Sequence, residues 1–221
     1  MDDPTCKYRL TMNQFIDDTF TFSAAGSHTT HITATYIMWA IYKDREVLQR
    51  LYDEIKTIEA AGLEITVDEL RKLPYFEAMI TEGLRLYTTI AGSIPRVVPK
   101  GGRQLGPHFL PEDTGILSPI YAIHHNTDLF QDPFSFKPER WMDATKEMRD
   151  AIVAFGGPGR PCPGQNLAMF ELRLILAFLI SRCPDLEPAE SCTKECMQLT
   201  ELLLLFPKGG KCEFRKRGYK V

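Results

Sequence analysis

Apolar side chains surround the first predicted helix, which runs from Thr11 to Tyr42. At 100° per residue they point in all directions, and they include Phe15, Ile16, Phe20, Phe22, Ile32, Ile37, Met38 and Trp39. A helix of this length spans about 50 Å, and a helix that is apolar on every side is normally buried. The pattern therefore predicts a long, central, buried helix.

Capping residues and apolar periodicity predict further helices. Asp44 caps a helix that continues to about Ala61, with apolar residues at 47, 48, 51, 55 and 58 on one face. "TVDE" at 66–69 is a capping box for a short helix, and Pro74 suits the first position of the helix "PYFEAMITEGLRLY". A last apolar helix follows Gly164.

From Ser93 onward the pattern changes to short strands punctuated by Gly and Pro. The predicted strands lie in "SIPRVVP", "GILSPIYAI", "QLTELLLLF" and "KCEFRKR". Residues 126–164 show no clear periodicity, and a loop of that length inside a compact domain usually has a function. The expected fold class is mainly α with small β-sheets (α+β).

Composition and charge are those of an ordinary globular protein with 44% hydrophobic residues. A net charge of -3 gives no reason to expect a nucleic-acid partner. The first ten residues lack the pattern of a signal peptide, and the apolar run "LAMFELRLILAFLI" carries Glu171 and Arg173, so it predicts a buried helix rather than a membrane span. The six irregularly spaced cysteines favour free thiols in a reducing compartment.

The segment "FGGPGRPCPG" at 155–164 places Cys162 between two prolines, with glycines on both sides. Such a segment is neither helix nor strand, and it predicts a tight loop with special backbone angles just before a helix. Two interpretations follow from the residues alone. The cysteine is either positioned for chemistry or is one free thiol in a turn.

Four motifs in this order, "AAGSHTT", "EGLR", "PERW" and the cysteine loop, resemble the C-terminal half of the cytochrome P-450 family of haem-thiolate monooxygenases. The resemblance covers nearly all of residues 1–221 and implies the C-terminal portion of one cytochrome P-450 domain. That portion would contain the long central helix, the E-x-x-R helix, the meander and the cysteine loop. The N-terminal half would be absent, as in a shortened gene product, an incomplete gene model or one piece of a split chain.

The resemblance implies haem b (iron protoporphyrin IX) as cofactor, with Cys162 as the axial ligand of the iron. A thiolate ligand supplies electron density that favours O–O cleavage. Phe155 would pack beside the sulfur, and Gly164 would let the backbone enter the following helix. Arg160 and Arg96 match positions that contact the haem propionates.

The resemblance also implies a buried structural network of Glu82, Arg85 and Arg140, which pins the meander behind the cysteine loop. Since Glu82 and Arg85 lie three residues apart on one helix face, the alternative is an ordinary surface ion pair.

On the central helix, the resemblance implies that Gly26 forms a notch for dioxygen and that Thr29 donates a hydrogen bond in a proton relay. The family commonly has an acid where this chain has His28. Histidine also passes protons near neutral pH, whereas the alternative is that His28 faces solvent or a polar helix neighbour. Pro158 stands where the family usually has glycine, so the cysteine loop would have to be rebuilt if a positive φ is needed there.

The function implied is insertion of one oxygen atom from dioxygen into a lipophilic substrate, with electrons from an NADPH-dependent reductase. The motifs look most similar to fungal microsomal members, which suggests secondary metabolism and, by analogy, the endoplasmic reticulum. This chain shows no anchor and is expected to be cytoplasmic or peripheral. Two alternatives remain: a non-catalytic fragment that cannot hold haem alone, and a haem enzyme that rearranges peroxides without a reductase. The segments expected to face the substrate are 12–24, 88–94 and 201–206.

Overall fold

A computed structural model describes residues 10–90, 92–157, 159–201 and 204–218. Its helices are α1 (Met12–Lys43), α2 (Arg45–Ala60), α3 (Val67–Leu70), α4 (Pro74–Leu86), α5 (Ile120–His124), α6 (Lys146–Asp150) and α7 (Gln165–Arg182), with a 3₁₀ turn at Pro138–Trp141. Its strands are β1 (Ser93–Val97), β2 (Arg103–Leu105), β3 (His108–Leu110), β4 (Gly115–Pro119), β5 (Leu186–Pro188), β6 (Leu199–Glu201), β7 (Leu205–Pro207) and β8 (Phe214–Lys216). The predicted mainly α fold with small β-sheets is confirmed.

The first helices begin at the predicted residues because short polar side chains cap them. The Asp44 side chain accepts hydrogen bonds from the backbone N–H groups of Glu46 and Val47, and α2 starts there. The Thr66 side chain accepts from the N–H of Glu69 at the start of α3. Pro74 occupies the first turn of α4, where its missing N–H would have no partner in the helix.

Within the described residues the strands pair as four two-stranded antiparallel sheets, β1–β4, β2–β3, β5–β8 and β6–β7. Sequence analysis missed β2, β3 and β5, which have only 3 residues each. It also treated "QLTELLLLF" as one strand, whereas β6 and β7 fold back on each other in antiparallel register.

The segment "GILSPIYAI" is a strand only as far as Pro119, and the prediction of a strand beyond it was wrong. Ile120 begins the short helix α5. Proline lacks the N–H that a strand needs for its ladder, and Pro119, with a φ of -76°, is both the last residue of β4 and the N-cap of α5. This turn of helix brings His124 and His125 into the interior.

The main core lies where the second half of α1 packs with α2, α4 and α7. Its fully buried side chains include Ile37, Ile41, Leu48, Leu51, Ile55, Phe76, Met79, Leu176 and Ile180. The Tyr42 hydroxyl donates a hydrogen bond of 2.8 Å to the carbonyl of Leu179, which fixes the end of α1 against α7. The buried positions of "LAMFELRLILAFLI" thus belong to a core helix. None of the helices in the described part of the chain is long and apolar enough to cross a membrane.

The predicted burial of α1 along its whole length was wrong for its first half. Buried positions of α1 run from Thr30 to Tyr42, whereas Phe15, Phe20 and Phe22 are 58%, 75% and 61% exposed. The reason is positional, since the residues that α1 buries against α2, α4 and α7 all lie in its second half.

Gly83 of α4 provides a test of how closely α1 and α4 pack. A Cβ atom at Gly83 would lie 2.2 Å from Cγ1 of the buried Ile37, whereas a Cβ at Gly26 would meet nothing within 4 Å. We expect Gly83→Ala to lower the free energy of unfolding by about 1–3 kcal/mol, because overpacking forces the core to shift.

Gly26→Ala is the matched control for stability, since it also replaces a helical glycine. It should leave stability unchanged or raise it by up to about 1 kcal/mol through helix propensity. Urea unfolding followed by circular dichroism measures both variants. Equal effects of the two substitutions would contradict the close contact between α1 and α4.

Candidate functional site

The cysteine loop joins the segment after α6 to the start of α7, and backbone hydrogen bonds close it. The N–H of Gly156 donates to the carbonyl of Val153 at 2.9 Å, and the N–H of Cys162 donates to the carbonyl of Phe155 at 2.7 Å. The second bond brings residues 155 and 162 together across the loop. Phe155 and Cys162 are therefore adjacent through their backbones, whereas the packing of the Phe155 side chain beside the sulfur stays a prediction.

Two glycines give this loop its shape. Gly156 and Gly159 adopt φ values of 83° and 88°, in the left-handed region that other residues rarely adopt. A Cβ at Gly156 would also lie 3.0 Å from the carbonyl oxygen of Arg160. Pro158 lies outside the described residues, so its expected effect on the loop stays a prediction.

Cys162 is an exposed free thiol three residues before the first residue of α7. Gly164 is the N-cap of α7, with φ -86° and ψ 3°, and a Cβ there would lie 3.9 Å from the Cys162 sulfur. Helix N-termini carry partial positive charge from their unpaired N–H groups, and the Cys162 sulfur lies at that end of α7.

Arg160 and Arg96 are the two arginines that sequence analysis assigned to an anionic ligand. Arg160 is exposed, whereas Arg96 is half-buried on β1, and its Nη1 donates to the neighbouring carbonyl of Pro95 at 2.9 Å. Neither guanidinium pairs with a carboxylate of the described residues. Both groups therefore have hydrogen-bond donors to offer to a ligand.

Arg85 is fully buried, and each of its N–H groups has an acceptor. Nε and Nη2 donate to the two Glu82 oxygens at 2.9 and 2.8 Å. Nη1 donates to the carbonyls of His124 at 2.8 Å and Pro133 at 2.7 Å, and Nη2 also donates to Ser135 at 3.4 Å. A guanidinium has five N–H groups, so its capacity is fully used.

The Glu82 carboxylate is equally well satisfied. Besides Arg85, it accepts hydrogen bonds from the backbone N–H of Lys137 at 3.0 Å, Nε of Arg140 at 3.0 Å and Nε1 of Trp141 at 2.9 Å. Arg140 in turn binds the carbonyls of Gln131, Asp132 and Ser135. Glu82, Arg85 and Arg140 thus lie in one buried cluster, and the alternative of a surface ion pair does not apply.

This cluster, which we call the α4 network, organises the irregular segment 126–141. Apart from His124 at the end of α5, the residues whose carbonyls it binds belong to no helix or strand, and Phe130 and Trp141 pack with Ala78 of α4 beside it. A buried polar group without a partner costs about 1–3 kcal/mol, so each bond resists displacement of the segment.

The residues predicted for the central helix lie together on α1 before its buried half. The Thr29 hydroxyl donates to the carbonyl of Ala25 at 2.8 Å, and Nδ1 of His28 lies 3.0 Å from the carbonyl of Ala24. Thr29 is half-buried, while His28 and Gly26 are exposed. His28 therefore has both solvent and a polar helix neighbour, and no hydrogen bond joins these three residues to described residues of the cysteine loop.

The family model for cytochrome P-450 matches residues 3–214 of this chain. The chain belongs to the cytochrome P-450 family. It is 38% identical over 190 residues to cytochrome P-450 monooxygenase orf2 of Aspergillus niger, covering 85% of this chain and 38% of that protein. It is 34% identical over 211 residues to cytochrome P-450 monooxygenase azaI of Aspergillus niger, covering 85% and 44% of the two chains.

A crystal structure of a cytochrome P-450 superposes with a TM-score of 0.80 at 23% identity, covering 98% of this chain and 48% of that one. This likeness confirms the fold. The chain spans about two fifths of the length of the curated relatives, at 38% and 44% for the two named here.

Membership of the cytochrome P-450 family implies a haem cofactor, and the chemistry of the loop fits one. Cys162 offers an exposed sulfur at a helix N-terminus, and Arg160 and Arg96 offer guanidinium groups suited to carboxylates. These are the donor types needed by an iron ion and by two propionates.

Two segments expected to face the substrate are joined in the structure. The N–H of Leu205 donates to the carbonyl of Thr89 at 2.9 Å, so the β7 strand lies against the chain that leaves α4. Residues 91, 202 and 203 of these segments lie outside the described residues. Thr88 is buried, whereas Ile90 is exposed.

Sequence analysis missed two contacts near the site. Arg173 of α7 forms a double hydrogen bond with Glu77 of α4 at 2.6 and 2.8 Å, so an ion pair ties the helix after the cysteine loop to the helix that carries the network. The Trp141 contact with Glu82 was also missed, although it is the residue next to Arg140 in "PERW". Only the fold brings these partners together, so no local pattern could have found them.

Arg85→Lys tests whether the α4 network depends on the shape of the guanidinium. Lysine keeps the charge but has three donors instead of five, so at least two buried acceptors lose a partner. We expect the free energy of unfolding to fall by about 2–4 kcal/mol. Urea unfolding of the chain measures the change.

Arg71→Lys is the control, because Arg71 pairs with Asp68 on the surface at 3.7 Å. That substitution should leave the unfolding midpoint where it is. If Arg85→Lys also left the midpoint unchanged, the hydrogen bonds of the network would not determine stability.

Proposed function

We propose that this chain is the C-terminal part of a single cytochrome P-450 domain whose function is haem-thiolate monooxygenation of a lipophilic substrate. The observation that carries the proposal is the exposed Cys162 sulfur on a loop closed by the Cys162–Phe155 backbone bond at the N-terminus of α7. The named relatives are cytochrome P-450 monooxygenases of Aspergillus species.

Cys162 would hold the iron of haem b through its sulfur. Haem bound through a thiolate supplies the activation of dioxygen from which one oxygen atom reaches the substrate. The protein's part is to aim the sulfur and to keep other ligands away. The left-handed Gly156 and Gly159 shape the loop, and Gly164 leaves the start of α7 open beside the sulfur.

Arg160 and Arg96 would bind the two propionates of the haem. Guanidinium groups form forked, charge-assisted hydrogen bonds with carboxylates, and both groups lack a carboxylate partner among the described residues. Phe155 would contribute an apolar surface next to the sulfur, since its backbone is fixed to that of Cys162.

Thr29 and His28, both on α1, would form part of a proton relay. The Thr29 hydroxyl donates a hydrogen bond to the carbonyl of Ala25, which leaves its oxygen lone pairs able to accept another hydrogen bond. Because the Ala24 carbonyl can only accept, Nδ1 of His28 is the donor in that contact, and the contact does not use Nε2. Gly26 leaves open space on the same helix, since a Cβ atom added there would meet nothing within 4 Å.

The substrate class is supported by the apolar side chains on the first half of α1. Phe15, Ile16, Phe20 and Phe22 are exposed, and together with the 88–90 segment they offer contacts to an apolar molecule or to further chain of the same domain. Electrons would come from an NADPH-dependent reductase, and the fungal relatives favour a role in secondary metabolism. A location at the endoplasmic reticulum is part of the same proposal.

The first experiment is the absorption spectrum of the 221-residue chain supplied with haem, reduced and exposed to carbon monoxide. We expect a strongly red-shifted Soret band that Cys162→Ser abolishes, because a serine oxygen cannot replace a thiolate as ligand. Cys183→Ser, at the far end of α7, is the matched control and should keep the band. A spectrum without the shifted band, or one that Cys162→Ser leaves unchanged, would refute thiolate ligation in this chain.

The second experiment measures haem affinity by titration. Replacing Arg160 or Arg96 by alanine should raise the Kd for haem about tenfold each, which corresponds to one charge-assisted hydrogen bond of about 1.4 kcal/mol. Arg71→Ala, which removes a surface arginine on the C-terminal side of α3, is the control and should leave the Kd unchanged. Equal Kd values for all three variants would rule out propionate binding by Arg160 and Arg96.

A further inference from the structure

His124, the last residue of α5, lies fully buried between the α4 network and the cysteine loop. Its carbonyl accepts a hydrogen bond of 2.8 Å from Nη1 of Arg85. Its Nε2 atom accepts a hydrogen bond of 3.1 Å from the backbone N–H of Val153. One residue therefore contacts the network through its backbone and the approach to the cysteine loop through its side chain.

The contact at Val153 continues directly into the loop. The carbonyl of Val153 accepts from the N–H of Gly156, and the carbonyl of Phe155 accepts from the N–H of Cys162. Val153 thus binds His124 through its N–H and the first turn of the loop through its carbonyl. Since Val153 lies outside the helices and strands, the His124 ring supplies a partner that no ladder provides.

The hydrogen bond also fixes the protonation state of His124. A backbone N–H can only donate, so Nε2 must present its lone pair, and the proton of the neutral ring is on Nδ1. Nδ1 has no hydrogen-bond partner within the described part of the chain. Removal from water lowers the pKa of His124 to about 4, and the nearby His125 and Arg85 act in the same direction.

We propose that His124 is a positioning residue that couples the α4 network to the cysteine loop through its neutral Nε2 atom. The contacts form a chain: Arg85 binds the His124 backbone, the His124 ring binds the Val153 amide, and the Val153 carbonyl binds Gly156 at the start of the loop. A histidine that merely filled space would be replaceable by an apolar side chain of similar length. The importance of the loop rests on the proposed function, but the coupling itself belongs to the protein chain.

Glutamine and methionine at position 124 separate the two roles. The side-chain amide of glutamine reaches about as far as Nε2 of histidine and accepts a hydrogen bond, whereas methionine has the same length and lacks a strong acceptor. The readout is hydrogen–deuterium exchange by mass spectrometry on the 221-residue chain, as isolated and after addition of haem. Peptides that cover 153–162 report on the loop, and peptides from α2 serve as an internal reference.

We expect His124→Met to increase exchange in the 153–162 peptides about tenfold, as for the loss of one buried hydrogen bond, and to leave α2 unchanged. His124→Gln should stay close to the wild type. His125→Met is the control for a neighbouring histidine, because Nδ1 of His125 pairs with Tyr121 within α5 and not with the loop. Equal loop exchange in the Gln and Met variants, or an equal increase in α2, would overturn the inference.

The pH dependence of the wild type gives an independent test if His124→Met fails to fold. The charged and titratable groups that act on the His124 ring are Arg85 on α4 and His125, the residue after α5. The pKa of the His124 ring is lower in the closed loop than its usual value of 6.5. The contact with the Val153 N–H is therefore complete above pH 6.5 and weakens as the pH falls towards 4. Loop exchange, corrected for intrinsic rates, should rise up to about tenfold per pH unit in that window and stay flat in His124→Gln.

A flat profile in the wild type would also overturn the inference. Failure of the proposed function would look different, because the chain would then lack the shifted Soret band while the exchange results of the isolated chain stood unchanged.

Discussion

The ion pair between Glu82 and Arg85 has no contact with water, and much of the site depends on satisfying it. A buried guanidinium and carboxylate are tolerated only when all their donors and acceptors are paired, because the loss of one partner leaves a charge exposed to a low dielectric. In this chain the partners are backbone groups of His124, Pro133, Ser135 and Lys137. The hydrogen bonds that Glu82 and Arg85 need therefore fix the path of a long segment that has little regular structure of its own.

The same need for paired charges explains how the site can consist largely of irregular chain. The cysteine loop and the segment before it are irregular, yet their ends are attached to α4 and α7, which are core helices joined by the ion pair of Glu77 and Arg173. An exposed sulfur can then occupy a defined place without a rigid strand or helix beneath it. The rigidity comes from charge pairing in the core, and the shape comes from left-handed glycines at the surface.

Local signals in the sequence were sufficient for the first four helices and α7, and insufficient for α5, α6 and the shortest strands. Asp44, Thr66 and Pro74 act within one turn of chain, so their caps could be read directly from the sequence. The strands β2, β3 and β5 are too short to show an alternation. For the site, the roles of Cys162 and of the Glu82–Arg85 pair were implied by the resemblance of four motifs, whereas the His124 contact with Val153 spans 29 residues and becomes visible only in the fold.

The first half of α1 shows why an apolar pattern does not by itself determine burial. Phe20 and Ile37 belong to the same helix and look equivalent in sequence, yet Phe20 is 75% exposed and Ile37 is 0% exposed. The difference lies in their neighbours, since Ile37 packs into the core with α2, α4 and α7, while the nearby hydroxyls and imidazoles of Thr29 and His28 bond back to their own helix. The apolar character of the first half is thus not explained by the core of this chain. It is explained if these side chains, which point in all directions around the helix, contact an apolar molecule or further chain of the same domain.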